Sequence, residues 1–235
     1  ALQAGIVGLP NVGKSTLFNA LSNAKAQAAN FPFCTIEPNI GVITVPDQRL
    51  IELEKLIKPN RVVPTTVEIV DIAGLVKGAS KGEGLGNQFL GNIRSTDAII
   101  HVLRCFTDDN VIHVDGSVNP VRDKEVIDTE LQLKDLDSVE KKMAKIEKFL
   151  KNGDKEVLNS YEVLKGLKIH LEQGKNARAY EVSIEDKEKH IDDMFLLTMK
   201  PVLYVCNVDE KSVVNGNVFT AQVKEEIGRA SCRER

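Results

Sequence analysis

Residues 8–16 read GLPNVGKST, and this short stretch decides the fold. Its spacing matches the pattern G-x-x-x-x-G-K-[S/T], in which backbone N–H groups wrap around a phosphate. Gly8 and Gly13 tolerate the dihedral angles and the close approach that such a loop needs. An apolar run at 4–8 leads into the loop, and STLFNAL, which has helical spacing, follows Lys14. The sequence therefore predicts a strand, a phosphate loop and a helix in that order.

The loop residues have distinct roles toward a bound nucleoside triphosphate. Lys14 would span the β- and γ-phosphates as a compact cation, and the Ser15 hydroxyl would ligate Mg²⁺. The helix that begins here adds the positive end of its dipole. Lys14 is therefore a candidate catalytic residue, and Ser15 is a candidate metal ligand.

Apolar runs elsewhere predict the architecture. Strand-like runs lie at 40–45, 67–71, 98–103 and 201–206, and a short helical pattern lies at 51–57. Strands that alternate with helices form a parallel-dominated sheet. We therefore expect an α/β fold, with a mostly parallel sheet flanked by helices.

A segment of different character separates the last two predicted strands. Its apolar residues step by three and four, as in a coiled-coil seam: Leu136, Val139, Met143, Ile146 and Leu150. After a turn at 151–154 the pattern continues, which predicts an antiparallel α-helical hairpin. Such a hairpin could simply cover the sheet, but the charged residues at most other positions favour a projecting arm.

These patterns divide the chain into predicted parts. Residues 1–122 and 196–227 form a nucleotide-binding domain that is incomplete at its C-terminus, and residues 123–195 form an inserted helical arm. Residues 228–235, GRASCRER, have neither periodicity nor an apolar run, and we expect them to be a non-native or disordered tail.

Three residues lie where a nucleotide switch would need them. Asp71 ends a predicted strand and begins the D-x-x-G element at 71–74, so it would hold Mg²⁺ through water. The amide of Gly74 would contact the γ-phosphate. Thr35 lies between the two phosphate-binding elements and is a candidate second Mg²⁺ ligand, although a solvent-facing loop threonine is equally expected there.

The segment NVDE at 207–210 predicts which base is bound. Guanine-specific enzymes have N-K-x-D at this place, after the corresponding strand. Val208 offers the base less cover than a lysine stem, and Glu210 is longer than aspartate. The guanine pattern is therefore broken and adenine is better supported. Asn207 can still brace the phosphate loop.

Leu75, which follows the D-x-x-G element, raises a mechanistic question. Many nucleoside triphosphatases place a glutamine near this position to orient the attacking water, which leucine cannot do. His113 is the candidate replacement, because loops at the carboxyl ends of parallel strands face the nucleotide. A histidine without a catalytic role is equally expected. The glycine-rich run at 77–86 predicts a mobile switch, slow hydrolysis and stimulation by a partner.

Taken together, GLPNVGKST, ANFPFCTIEPN, DIAGLVKGASKGEGLGN and the N-x-x-E at 207–210 resemble the YchF/Obg-like ATPase branch of the Obg-related P-loop superfamily. The resemblance covers about residues 4–215. It implies a Mg²⁺-dependent ATPase that acts as a nucleotide-controlled switch, with ribosomes or translation factors as partners. Members of this branch also carry a C-terminal TGS domain, and the sequence stops before one.

The same resemblance implies roles for individual residues. It implies that Ser15 and Thr35 ligate Mg²⁺, and it supports a role for His113 in hydrolysis. It implies phosphate binding by the run Asn11, Val12, Gly13, Lys14, Ser15 and Thr16. It also implies adenine contacts by Asn207, Val208 and Glu210.

Composition limits the other functions. The net charge of −3 argues against a general polyanion-binding surface, although a local basic face would not show in this sum. The cysteines have no C-x-x-C spacing and no paired histidines, so we do not expect a zinc site. We expect the cysteines to be reduced thiols. They are Cys34, Cys105, Cys206 and Cys232. No apolar run could span a bilayer. We expect a cytoplasmic protein without membrane or sequence-specific DNA partners.

Two alternatives to a slow ATPase stay open from the sequence. One is a nucleotide-gated binding module that presents the helical arm to a partner with negligible turnover. The other is a GTPase of the Obg type, in which Val208 and Glu210 do not prevent guanine binding.

Overall fold

The computed structural model describes residues 1–23, 40–72, 85–108, 113 and 116–233. The strands in this part of the chain are β1 (Leu2–Val7), β2 (Ile40–Thr44), β3 (Thr66–Asp71), β4 (Ala98–Arg104) and β5 (Val202–Asn207). The helices are α1 (Lys14–Asn23), α2 (Gln48–Ile57), α3 (Leu85–Ser95), α4 (Pro120–Glu147), α5 (Lys155–Glu172), α6 (Ile184–His190) and α7 (Val218–Arg233).

The strands form one sheet in the order β2-β3-β1-β4-β5. β1 pairs in parallel with β3 and β4, and β5 pairs in parallel with β4. Only the edge pair of β2 and β3 is antiparallel among the described strands. The predicted α/β fold with a mostly parallel sheet is therefore confirmed.

The main core lies between the central strands and the helices that pack on them. Ile6 on β1 and Ile99 on β4 are almost completely buried. They pack in one cluster with side chains of α3 and α4, including Leu90, Ile93, Ile127 and Leu131. The burial of both central strands explains why their sequences are nearly continuous apolar runs.

The first turns of α4 belong to this main core, whereas its later turns belong to the arm. Val139 packs with Leu164, Leu167 and Leu171 of α5 and with Ile191 in a second cluster. The predicted boundary at residue 123 therefore falls inside a continuous helix. α4 covers the sheet near its start and packs on α5 near its end, and the projecting arm stays a prediction.

A buried carboxylate ties the arm to the strand that follows it. Asp135 on α4 is completely buried and accepts hydrogen bonds from the backbone N–H groups of Leu197 and Thr198, both at 2.7 Å. It also accepts one from the Thr198 hydroxyl at 2.7 Å. Burial raises the pKa of this carboxyl, and the hydrogen bonds oppose that shift. The contacts fix the segment that enters β5.

The C-terminal helix extends into the segment predicted as a tail. α7 runs from Val218 to Arg233 and so includes the first residues of the segment 228–235. Val223 of α7 packs with Leu103 and Cys105 in a third cluster. Whether residues 228–235 are native stays a prediction.

His101 lies on β4 inside the protein, as expected for a histidine within a strand. It is 2% exposed, and its Nε2 atom has no hydrogen-bond partner among the described residues. The ring lies 5.5 Å from that of Tyr204. Burial lowers the pKa of His101 to about 4, so the imidazole is neutral at pH 7.

This buried imidazole predicts a loss of stability in acid. The unfolded chain protonates His101 near its ordinary pKa of about 6.5, whereas the folded protein does so only near 4. The free energy of unfolding should therefore decline as pH falls through this window, by up to about 3 kcal/mol from this residue. Urea titrations at several pH values would measure the slope. His101→Leu should have a shallower slope than the wild type, and equal slopes would contradict the prediction.

Candidate functional site

The phosphate loop connects the end of β1 to the start of α1, as the sequence predicts. Gly13 has φ +99°, which favours glycine, and a Cβ atom at this position would collide with the Asn207 side-chain amide. A Cβ atom at Gly8 would lie 2.6 Å from the Val102 carbonyl oxygen. Asn11 also has a positive φ, of 62°. The loop therefore requires its two glycines for backbone conformation and for space.

Lys14 is held inside the loop. It is 8% exposed, and its Nζ atom donates a hydrogen bond to the Leu9 carbonyl at 2.8 Å. Burial lowers the pKa of Lys14, and the negative charge of Asp71 opposes that shift. The ammonium group thus lies between the loop backbone and the carboxylate at the end of β3, where a triphosphate would need a cation.

The two predicted metal ligands in the described residues lie side by side. The Ser15 hydroxyl donates a hydrogen bond to Asp71 Oδ2 at 3.2 Å. The parallel pairing of β1 and β3 places Ile6 opposite Asp71, which brings the carboxylate to the loop. A hydroxyl and a carboxylate supply the hard oxygen donors that Mg²⁺ takes, together with substrate phosphates. The residues present therefore fit a Mg²⁺ ion.

Two other predicted positions cannot be placed. Thr35, the candidate second Mg²⁺ ligand, and Gly74, the candidate γ-phosphate contact, lie outside the described residues, as does Leu75. Their roles stay predictions from the sequence.

Asn207 braces the phosphate loop from the end of β5. Its Nδ2 atom donates a hydrogen bond to the Val12 carbonyl at 3.0 Å. Its own carbonyl accepts from the Cys105 backbone N–H at 2.7 Å, which fixes the end of β5 against that of β4. This hydrogen bond is the contact that the predicted bracing role of Asn207 requires.

The other residues of the base-recognition segment differ in exposure. Val208 is half-buried and packs against the cluster of Leu103, Cys105 and Val223. Asp209 caps a short turn by accepting from the Ser212 backbone N–H at 3.2 Å. Glu210, which begins that turn, is exposed. Of these three residues, Glu210 has the carboxylate that is accessible to a ligand and not used as a cap.

His113 lies in a buried pair with a carboxylate. Its Nε2 atom is 2.8 Å from Asp123 Oδ2, and the two side chains are 6% and 2% exposed. Asp123 is in the first turn of α4, where Arg122 also donates to its Oδ1 at 3.1 Å. Sequence reasoning missed Asp123, because an acid in the first turn of a helix is ordinarily read as a match to the helix dipole.

Comparison with known proteins identifies the family. A family model described as "50S ribosome-binding GTPase" matches residues 3–159. "Ribosome-binding ATPase YchF" of Bacillus subtilis (strain 168) is 52% identical over 227 residues, which are 96% of this chain and 62% of the relative. The protein of the same name from Escherichia coli O157:H7 is 56% identical over 223 residues, 95% of this chain and 61% of the relative.

A solved structure agrees with these relatives. The structure of the Schizosaccharomyces pombe YchF GTPase has a TM-score of 0.84 and 37% identity, and the match covers 97% of this chain and 62% of that chain. The chain thus spans about three-fifths of the length of the relatives it matches. Within the described residues, no helix is long and apolar enough to cross a membrane.

The Asn207 brace can be tested by truncation. Asn207→Ala removes the hydrogen bond to Val12 and leaves that carbonyl without its partner, a loss worth about 1 kcal/mol or more. We expect nucleotide affinity to fall by about fivefold or more, as measured by titration with a fluorescent ATP analogue. Asn159→Ala is the control, since it removes an asparagine hydrogen bond to Asp186 within the arm. Unchanged affinity in Asn207→Ala would contradict the bracing role.

Proposed function

Because the chain belongs to the 50S ribosome-binding GTPase family, and within it to the YchF proteins, we propose that it is a slow Mg²⁺-dependent ATPase that acts as a nucleotide-controlled switch on the ribosome. One observation carries the proposal: the phosphate loop holds Lys14 inside it, with Ser15 hydrogen-bonded to Asp71 at its edge. The curated relatives are named ribosome-binding ATPases, which supports both the reaction and the partner.

The loop supplies electrostatic stabilisation of the transferring phosphoryl group. Lys14 brings a cation to the β- and γ-phosphates, and the loop N–H groups from Asn11 to Thr16 donate to phosphate oxygens. Ser15 and Asp71 would hold Mg²⁺, whose charge neutralises the phosphate oxygens when it is bound. Thr35 and Gly74 complete this set as proposals from the sequence.

The base-recognition segment favours ATP over GTP. Val208 packs against the protein and has no equivalent of the lysine stem that covers guanine, and Glu210 replaces the shorter aspartate of the guanine pattern. Glu210 is exposed and can meet the edge of the base. The competing candidate is a GTPase, which is favoured by the description of the family model and by the name of the S. pombe protein. A nucleotide-gated module with negligible turnover is the other candidate, and hydrolysis measurements separate it from the ATPase.

Water alignment is the step that Leu75 cannot perform, and we assign it to His113. A carboxylate only accepts hydrogen bonds, so Asp123 takes the Nε2–H of His113 at 2.8 Å. The other ring nitrogen, Nδ1, is the atom through which we propose that His113 orients the attacking water. Asp123 is the positioning residue in this arrangement, because it fixes the tautomer and the orientation of the ring.

The phosphate-loop lysine gives the first test of the enzyme. Lys14→Ala removes the cation that stabilises charge on the γ-phosphate, and we expect the single-turnover rate of ATP hydrolysis to fall by about 100-fold or more. Lys165→Ala, which removes an exposed lysine from α5, is the matched control and should keep the wild-type rate. A rate that Lys14→Ala leaves unchanged would refute the ATPase.

The same proteins discriminate between the candidates. Competition between ATP and GTP for the wild-type protein should favour ATP, and a clear preference for GTP would establish the GTPase instead. Turnover that stays negligible with and without 50S subunits would support the nucleotide-gated module.

The His113 assignment makes a second prediction. His113→Ala should lower the single-turnover rate by about 100-fold while ATP affinity stays within about twofold, because water alignment acts on the chemical step. His113→Gln keeps a donor for Asp123 and should preserve stability without restoring the rate. Asp123→Asn should change the pH dependence of the rate, which a purely structural role would not do. His170→Ala on α5 is the control, and an unchanged rate in His113→Ala would remove His113 from the mechanism.

A further inference from the structure

The end of the helical hairpin is a basic surface on an acidic protein. We call residues 145–155 the hairpin tip. The tip has two acidic residues, Glu147 and Asp154, in a chain with a net charge of −3. Its four lysines are all exposed: Lys145, Lys148, Lys151 and Lys155. The tip therefore has a net positive charge that the total for the chain hides.

Several lysines elsewhere on the arm are paired with acids. Lys142 lies 2.6 Å from Asp193, and Lys168 lies 2.8 Å from Glu140. Lys141 and Lys189 form comparable pairs along their own helices. None of the four tip lysines forms an ion pair within the described part of the chain, and Asp154 is occupied in capping α5 through the Glu156 N–H. The contrast shows that positive charge is concentrated at the tip.

An aromatic side chain stands among these lysines. Phe149 is 56% exposed. Its backbone N–H donates to the Ile146 carbonyl at 2.8 Å, and a short 3₁₀ turn follows at Leu150–Asn152. Gly153, with φ +69°, then reverses the chain. The turn is fixed by backbone hydrogen bonds, and it leaves Phe149 outside the hydrophobic clusters of the main core and of the arm.

The tip also projects away from the sheet domain. Asp135 is the point at which α4 is tied to the segment before β5, and the helix continues from there to Glu147. At a rise of 1.5 Å per residue, the helix end lies about 18 Å beyond that contact. The tip can therefore contact a partner at a distance from that junction.

We propose that the hairpin tip binds RNA at an unpaired segment, with its lysines on the phosphates and Phe149 stacked on a base. Exposed lysines and an exposed aromatic ring are the two elements with which proteins bind single-stranded nucleic acid without sequence preference. A polyanion is also the partner that complements a basic tip on an acidic protein. The inference rests on the proposed ribosome association and names the surface that would make it.

The test uses the whole chain, a labelled single-stranded RNA oligonucleotide and purified 50S subunits. The Lys148→Gln/Lys151→Gln double variant should weaken RNA binding and reduce the slope of log K against log salt by about 1.4, or about 0.7 per phosphate contact. Phe149→Ala should lower the affinity by about fivefold or more and leave the salt slope unchanged. The matched control Lys165→Gln/Lys224→Gln removes the same charge from exposed lysines elsewhere and should bind as the wild type does.

Several outcomes would overturn the proposal. Equal RNA binding by the wild type and the tip variants would do so. So would loss of 50S cosedimentation in the tip variants when the wild type binds no RNA, because the tip would then contact a ribosomal protein.

ATP hydrolysis, measured on the same proteins, separates this inference from the proposed function. If the protein hydrolyses ATP normally but binds no RNA, RNA binding by the hairpin tip is refuted and the proposed ATPase activity is not. If RNA binding depends on the tip but the protein does not cosediment with 50S subunits, the tip is supported as an RNA-binding surface. The ribosome is then refuted as the partner.

Discussion

The hydrogen bond from the Asn207 amide to the Val12 carbonyl is the interaction on which the nucleotide site depends. It joins residues that are far apart in sequence, and it exists because β4 pairs in parallel with both β1 and β5. That pairing brings the carboxyl ends of the strands to one edge of the sheet. The close approach of Asn207 also requires Gly13, since a Cβ atom there would collide with the amide. The glycine at position 13 of the loop and the order of the strands are thus both required for the same hydrogen bond.

The arm is inserted between two paired strands, and the structure must hold their register across this insertion. α4 achieves this by belonging to both cores, with Ile127 in the main cluster and Val139 in that of the arm. The Asp135 carboxylate then fixes the backbone of Leu197 and Thr198 just before β5. Burying a carboxylate is unfavourable unless it is hydrogen-bonded, and three donors satisfy it here. The position of Asn207 at the end of β5 therefore depends on a contact between the arm and the segment that enters that strand.

Local patterns in the sequence were sufficient for most of the fold. Every predicted strand is present, and the central strands β1 and β4 were the clearest because buried parallel strands leave a continuous apolar run. The structure also contains α3 at Leu85–Ser95, which was not predicted because its glycines resemble a loop. Of the site, the loop residues and the neighbourhood of Ser15 and Asp71 followed from motif spacing. Asp123 and Asp135 did not, since their partners are set by tertiary packing, which no local period encodes.

α4 links the two places where this chain departs from a minimal nucleotide-binding domain. Its first turn holds Asp123, which orients His113, and its last turn supports the hairpin tip. Between them the helix is fixed by two hydrophobic clusters and by Asp135. A helix held in this way moves as a rigid body more readily than it bends, because packed cores resist continuous deformation. A partner at the tip would therefore act on His113 by shifting the whole helix. In the proposed mechanism a histidine that α4 positions replaces the built-in glutamine, so hydrolysis would respond to what that helix contacts.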